Sequence, residues 1–340
     1  MRSEPVYIYH TSPKSLRDDM RRALVSYIDG LDPSRKTFLK INGNHDKDYP
    51  GSNTSRWFLD ALLHGLRDRG FKDVCVIEGA GYLFSATDMI RNTRLLDICG
   101  KHGVPFVDYE ALPRNRYALP AMIEGAQLVN VPVMHTHGFA VVSCAVKNYF
   151  GLIPNDRWKY HERLEEKLIE IYRDVNRTAT TLTVCDGTVG QKGDSTRTGD
   201  PVQLDTFVVG RNELAVDVAV SHMMGFSAGE IPLLKYAREH GYLDFAIDVR
   251  GDYSSFDGLP RHDFRFVPTG AKRLSKWAHR NPAAKAIVTR QPFRGLFHAG
   301  RGLYQDYVFQ KKKRDLFTGP WMEYERELRK GLAAIPAMPG

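Results

Sequence analysis

The feature that most constrains the fold is a regular alternation of short apolar segments and amphipathic segments through the first 250 residues. Apolar runs of about five residues, typical of strands buried on both faces, alternate with segments whose apolar residues recur at helical spacing. Two of the predicted helices are followed directly by a glycine, Gly70 and Gly103, which favours a left-handed helix end. This order predicts an α/β fold with a mostly parallel sheet and helices on both faces.

The predicted elements follow from these patterns. The strands are predicted at residues 6–10, 37–42, 73–78, 104–108, 128–137, 181–186, 202–209 and 245–249. The helices are predicted at residues 13–29, 53–69, 93–102, 161–176, 214–224, 231–240 and 321–332, with a loop at 148–154.

Composition limits the classes of protein that this chain can belong to. With 340 residues and 42% hydrophobic residues it can bury a sizeable core. No apolar run approaches the ~20 residues that span a bilayer, and residues 1–10 lack the apolar stretch of a secretory signal. We therefore expect a soluble, cytoplasmic protein with no membrane partner. The four cysteines are widely spaced, so we expect reduced core thiols, no iron–sulfur cluster and no disulfide.

Positive charge is concentrated in the C-terminal quarter. Residues 261–340 contain 17 Lys and Arg against 6 Asp and Glu, whereas the other 260 residues are slightly acidic overall. We predict an α/β core domain at residues 1–255 and a basic, aromatic-rich extension or lid at residues 256–340. A basic segment of this kind can bind nucleic acid or an acidic partner, or it can be a solvated surface. The sequence leaves these alternatives open.

The end of the second predicted strand carries Lys40 and Asn42. Residues two apart on a strand share a face, so both side chains point the same way. Ligands of open α/β sheets bind outside the carboxyl ends of the strands. A lysine there supplies a charge for a carboxylate or phosphate, and an asparagine orients the ligand. The alternative is a strand-end lysine that simply reaches solvent.

His135 and His137 lie two residues apart at the end of the strand predicted at residues 128–137, so their side chains share one face. Two imidazoles at this spacing can chelate a divalent metal, or one can move a proton while the other binds substrate. A metal would need a third ligand, for which Glu78, Asp186 and His161 are the candidates. The cofactor stays unknown at this point, with a divalent metal among the alternatives.

Three further groups are candidates for chemistry. Lys147 and Asn148 stand beside an apolar glycine turn, where a lysine with a lowered pKa can act as a base or form an imine, or can reach out to solvent. Asp186 follows a strand and precedes a glycine. Asp217 interrupts an apolar helix, so it must be paired if it is buried. Asp217 is predicted to orient a catalytic group or to cap a neighbouring element.

These motifs, taken together and in this order, resemble the domain of unknown function 362 family over roughly residues 37–241. The resemblance is carried by Lys40-x-Asn42, His135-Thr136-His137, the run from Val146 to Pro154, His161, Asp186-Gly187 and the helix from Ala215 to Gly225. Members often have a lysine where His135 stands, and many carry a ferredoxin-like cysteine cluster that this chain lacks. The electron-transfer role of those members is therefore not implied here.

A more distant likeness is to the N-terminal domain of nickel-dependent lactate racemase. That enzyme also has a polar strand end with histidine and then a lysine-bearing glycine loop, and its lysine anchors a nickel pincer cofactor. Lys147 stands in a comparable place, but the racemase's glycine-rich signature is missing. The likeness therefore implies carbon-acid chemistry beside a lysine and histidines, without the cofactor.

The sequence thus predicts an enzyme that acts on a small anionic metabolite by proton transfer, as an isomerase, lyase or transferase. His135, His137 and Lys147 are the predicted catalytic residues, and His135, His137 and Asp186 are the predicted ligands if a metal binds. The predicted substrate-binding residues are Lys40, Asn42, Asn148, Asp186 and Asp217. A homo-oligomer is compatible with the sequence. The alternative function is binding of nucleic acid or an acidic partner through the C-terminal quarter.

Overall fold

The computed structural model describes residues 2–27, 30–81, 84–195 and 198–267, together with residues 318–332 and scattered positions between 270 and 311. The strands of the described residues are β1 (Arg2–His10), β2 (Thr37–Ile41), β3 (Val74–Glu78), β4 (Phe106–Asp108), β5 (Gln127–Val131), β6 (Val133–His137), β7 (Val141–Ser143), β8 (Thr180–Lys192), β9 (Asp200–Gly210) and β10 (Phe245–Gly251). They form one sheet of order β10-β1-β9-β8-β5-β2-β3-β4, with β6 paired to β8 and β7.

The sheet is mixed but mostly parallel, which confirms the predicted fold class. Six of its strand pairs are parallel, including β2 with β3 and β5. The antiparallel strands are β7, which pairs with β6, and β9, which returns from β8 as a hairpin and runs antiparallel to both β8 and β1. A strand that follows its neighbour through a short turn has no crossover helix, so it must run antiparallel. The parallel strands β2, β3 and β5 therefore share one carboxyl edge.

Helices cover both faces of the sheet. Those of the described residues are α1 (Leu16–Tyr27), α2 (Arg56–Asp68), α3 (Ala86–Asn92), α4 (Leu95–His102), α5 (Ala145–Asn148), α6 (Leu164–Thr178), α7 (Glu213–Met223), α8 (Pro232–Glu239) and α9 (Pro320–Leu332). One buried core lies between the sheet and α1 to α4, with α9, and the other lies beneath α5 to α8. On β2, Phe38 packs into the second core, whereas Leu39 and Ile41 pack into the first, as the alternation of a strand requires.

Local chemistry explains where the predicted elements differ from the observed ones. The strand predicted at 128–137 divides into β5 and β6 at Pro132, which has no N–H to give to a ladder. The loop predicted at 148–154 contains a 3-10 turn, Tyr149–Leu152, that continues α5. Helix α3 was not predicted. Gly70 and Gly103 do adopt positive φ values of 85° and 63° after α2 and α4.

The C-terminal helix α9 packs on the core. Trp321 is buried, stacks on Trp57 of α2 at a centroid distance of 5.7 Å, and donates its indole N–H to Asp205. Glu325 forms a buried ion pair with Arg56 of α2. Most of the segment between residues 268 and 317 lies outside the described residues. The basic and aromatic surface proposed for nucleic acid falls largely in that segment.

All four cysteines lie in the core, as predicted. Cys75, Cys99, Cys144 and Cys185 are buried free thiols. Burial raises the pKa of Cys75 to about 11 and that of Cys99 to about 12, which disfavours the reactive thiolate.

Among the helices of the described residues, none is long and apolar enough to cross a membrane.

Candidate functional site

Lys40 and Glu78 form a buried ion pair at the carboxyl ends of β2 and β3. The Lys40 side chain is 1% exposed, and its Nζ lies 2.7 Å from Glu78 Oε1 and donates to the Ile41 carbonyl at 2.8 Å. Glu78 also accepts hydrogen bonds from the Gly43 N–H at 2.8 Å and from the Tyr109 hydroxyl at 3.2 Å. Burial lowers the pKa of Lys40, and the Glu78 carboxylate opposes that shift. Lys40 therefore already has an anionic partner within the protein.

The loop between β2 and α2 brings asparagine side chains to the edge of His135. Asn53 Oδ1 accepts from the backbone N–H groups of Asn44 and His45, which fixes the loop. Asn44 Nδ2 donates to Asn42 Oδ1 at 2.8 Å and contacts His135 Nε2 at 2.9 Å. Asn42 Nδ2 lies 3.4 Å from the same nitrogen. Both amides are donors, so Nε2 of His135 is the acceptor nitrogen.

His135 is a neutral imidazole in this arrangement. With Nε2 as acceptor, the ring proton lies on Nδ1, 3.3 Å from the Thr136 carbonyl. Burial, and secondly the positive charge of Lys147, lower the pKa of His135 to about 3. Lys147 is half-buried, with its Nζ 5.8 Å from the centroid of the Phe150 ring. The two catalytic candidates from β6 and α5 are therefore electrostatically coupled.

A row of buried polar residues lies beneath α5. Lys40 of β2 is in register with Asn130 of β5, and Asn130 is in register with Thr183 of β8. Asn130 Nδ2 donates to the Ala145 carbonyl at 3.0 Å, and Asn130 Oδ1 accepts from Asn148 Nδ2 at 2.7 Å. Asn148 also reaches the Lys40 carbonyl at 3.3 Å. These bonds fix α5, and with it Lys147, against the ends of β2 and β5.

Asp217 caps α5 from helix α7. Its two carboxylate oxygens accept the backbone N–H groups of Ala145 at 2.7 Å and Val146 at 3.1 Å. These are N–H groups of the first turn, which have no partner within a helix. Burial raises the pKa of Asp217 to about 7, against the opposing effect of the two N–H donors. The sequence prediction that Asp217 is paired and caps or orients a neighbour agrees with this position.

The buried carboxylate of Asp217 should make stability depend on pH. Its folded pKa lies above the unfolded value of 3.8, so the folded protein binds this proton more tightly. The stabilisation it contributes is present below about pH 4 and is lost as pH rises toward 7. Asp217→Asn removes this titration, but its NH2 group replaces one of the two oxygens that each accept one N–H group, so one N–H loses its acceptor. We expect a lower melting temperature for the variant at pH 5 and a smaller deficit at pH 8; an equal or larger deficit at pH 8 would contradict the assignment.

Asp186 is engaged at the start of α2. Its Oδ2 accepts from the backbone N–H and hydroxyl of Ser55, and its Oδ1 accepts from the N–H and hydroxyl of Thr188. Burial raises its pKa, and these four donors oppose the shift. Asp186 thus holds the N-terminus of α2 on β8. Its predicted part in binding substrate or a metal stays a prediction.

The histidines and Asp186 do not form a metal-binding arrangement with one another. His137 is half-buried, and its Nδ1 accepts from the backbone N–H groups of Phe139 and Ala140 at 3.2 Å each. Within the part of the chain that the structure describes, no group of three or more His, Cys, Asp or Glu side chains is placed to hold a metal ion. The side chain of His161 lies outside the described residues.

The structure groups some of the predicted site residues and separates others. Lys40, Asn42, His135, Lys147 and Asn148 gather at the carboxyl edge of β2, β5 and β6, whereas Asp186 and Asp217 cap helices beside them. The sequence did not single out Asn44, Asn53, Tyr109 and Asn130, and it considered Glu78 only as a metal ligand. The asparagines of the 43–53 loop resembled turn residues, which hid their role. The high number of asparagines in this loop was the one sequence signal that could have indicated a role in the site.

An α/β fold with a buried polar cluster at the carboxyl ends of parallel strands defines the general class of this protein. Within that class, the chain belongs to the family described as domain of unknown function (DUF362), whose model matches residues 37–222. A curated relative, the thylakoid-associated protein sll1697 of Synechocystis sp., is 21% identical over an alignment of 169 residues, and the alignment covers 44% of this chain. The chain matches about half, 51%, of that relative's length. No solved structure matches the chain.

Proposed function

We propose that this protein is an enzyme that moves a proton on a small anionic metabolite, with His135 as the proton acceptor. The observation that carries the proposal is the contact of His135 Nε2 with the Asn44 amide at 2.9 Å, beside Lys147. This acceptor nitrogen faces polar side chains at the edge where α/β proteins bind ligands. A substrate that replaced the Asn44 amide would meet the lone pair of Nε2.

Lys147 supports the proposal because it couples anion binding to the basicity of His135. Its charge is one cause of the low pKa of that imidazole, after burial. An anion bound at Lys147 would neutralise this charge and raise the pKa of His135 toward the range useful for proton transfer. The site would then become basic only when a carboxylate or phosphate is present.

The proposed step is a proton transfer between carbon and nitrogen. Nε2 of His135 takes a proton from the carbon next to an electron-withdrawing group, and the C–H electron pair is delocalised into that group. The ring becomes an imidazolium, with its Nδ1–H still directed to the Thr136 carbonyl. Return of the proton gives isomerisation, and loss of a leaving group gives elimination. The Asn42 and Asn44 amides would donate to the developing negative charge.

Lys40 and Glu78 are assigned a positioning role in this proposal. Their charges neutralise each other, and Glu78 fixes the start of the 43–53 loop through the Gly43 N–H.

The alternative function, binding of nucleic acid or an acidic partner, depends on residues that are largely outside the described part of the chain. The described contacts bear on the proposed enzyme and leave the alternative a prediction.

Exchange of substrate hydrogen with solvent deuterium tests the proposal. We would incubate the protein in D2O with a panel of carboxylate and phosphate metabolites and follow loss of carbon-bound hydrogen by mass spectrometry. We expect exchange with the wild type, and at least a hundredfold slower exchange with His135→Gln, in keeping with general base catalysis.

His64→Gln, on the half-exposed face of α2, is the control and should exchange like the wild type. A folded His135→Gln protein with unchanged exchange would remove this residue from the reaction. No exchange by the wild type with any member of the panel would oppose the proposed chemistry.

A further inference from the structure

Within the described part of the chain, two buried polar atoms close to the His135 cluster have no hydrogen-bond partner. They are Nε2 of Gln191 on β8, a residue that is 2% exposed, and the hydroxyl of Ser52, which is 0% exposed. A buried donor without a partner is costly, and native proteins rarely keep one without a reason. One recognised reason is a ligand that supplies the missing partner.

The backbone of each residue is joined to the cluster around the imidazole. Gln191 is in register with His135 on the neighbouring parallel strand, so their side chains share a face of the sheet. Gly51, at a φ of 74°, lets the 43–53 loop lie directly on β8, since a Cβ there would overlap the Gly190 carbonyl oxygen and lie 3.1 Å from Gln191 Cβ. The carbonyl of Ser52 accepts from Asn44 Nδ2, the amide that contacts His135 Nε2. Gln191 and Ser52 therefore extend the asparagine–histidine cluster.

We infer that Gln191 and Ser52 bind oxygen atoms of the ligand in the site centred on His135. This inference rests on the proposed function for the location of the site, and it adds the residues that recognise the ligand. The Gln191 amide can only donate through Nε2, so its partner is an oxygen acceptor. The Ser52 hydroxyl can donate to the same kind of group. Lys147 supplies the positive charge, so the recognised group is an oxyanion, a carboxylate or a phosphate.

The inference predicts an unusual combination of effects for Gln191→Met. The variant keeps the volume of the side chain and removes the unpaired amide, so the ligand-free protein should melt at the same or a higher temperature. Binding of the oxyanion should weaken by at least tenfold. A side chain with a purely structural role would give the opposite result, a lower melting temperature and unchanged binding.

The test uses the full chain and two probes, malonate and inorganic phosphate. Their dissociation constants would be measured by calorimetry for the wild type, Gln191→Met, Ser52→Ala and Gln203→Met. Gln203 is an exposed residue of β9 and serves as the matched control, with binding expected to equal the wild type. The probe that binds more tightly identifies the carboxylate or the phosphate as the recognised group.

The outcomes separate this inference from the proposed function. Anion binding that depends on Gln191, without any deuterium exchange, would support the inference and oppose only the proton-transfer chemistry. Binding that is weakened by Lys147→Met but unchanged in Gln191→Met and Ser52→Ala would overturn the inference alone. A wild-type protein that binds neither probe would overturn it as well.

Discussion

Lys40→Met is expected to lower the free energy of unfolding by about 3–5 kcal/mol, the largest loss of stability that we predict for a single change at the site. The substitution leaves the Glu78 carboxylate buried without its ammonium partner, which lies at 2.7 Å in the folded protein. The Gly43 N–H and the Tyr109 hydroxyl still donate to Glu78, but they do not replace a full charge. Urea unfolding of the two proteins under the same conditions would measure the difference.

A second change should restore much of the lost stability. In the double variant Lys40→Met/Glu78→Gln, no charge is buried, and the glutamine carbonyl can still accept from Gly43. Replacing both members of a buried ion pair by neutral groups is commonly close to neutral for stability. Lys36→Met is the matched control on the same side of the sheet, because its ion pair with Asp73 is half-exposed and should contribute little. If the double variant is less stable than Lys40→Met, the pair is not what makes Lys40 important.

Lys147→Met is expected to reduce turnover, or the affinity for the substrate anion, by at least a hundredfold. The side chain is half-buried beside Phe150, so the methionine can keep its packing while the charge is lost. We expect the free energy of unfolding to fall by no more than about 1–2 kcal/mol, as at other functional positions. The functional loss should therefore be far larger than the loss of stability.

A readout other than activity distinguishes a functional Lys147 from a structural one. The lysine charge is the second cause, after burial, of the low pKa of His135, so the pKa of that imidazole should rise in Lys147→Met. Histidine NMR signals recorded over a pH titration would show protonation of His135 beginning at higher pH in the variant. Lys235→Met, on the exposed face of α8, is the control and should leave both the titration and the turnover unchanged. Unaltered turnover and an unaltered His135 titration in folded Lys147→Met would remove this lysine from the site.

The sequence by itself determined the local elements and the sheet edge to which the candidate residues belong. Apolar runs and helical periodicity depend on residues close together in the chain, so β2, β3, α2 and α7 were predicted nearly where they occur. Glycine after a helix acts locally too, which is why Gly103 ends α4 as expected. Lys40 and His135 could be assigned to the carboxyl edge because each lies near the end of a predicted strand, and parallel strands end at one edge.

The tertiary structure alone decided which groups meet at that edge. Lys40 pairs with Glu78, 38 residues away, Asp186 caps α2 from a distance of 131 residues, and Asp217 caps α5 across 72 residues. No local pattern encodes such partners, because many carboxylates in the chain could satisfy the same lysine or N–H group. The choice depends on the register of the strands and on how the helices pack, and burial then makes each chosen partner obligatory. The neutral state of His135 has the same origin, since it results from burial and from a lysine brought near by the packing of α5.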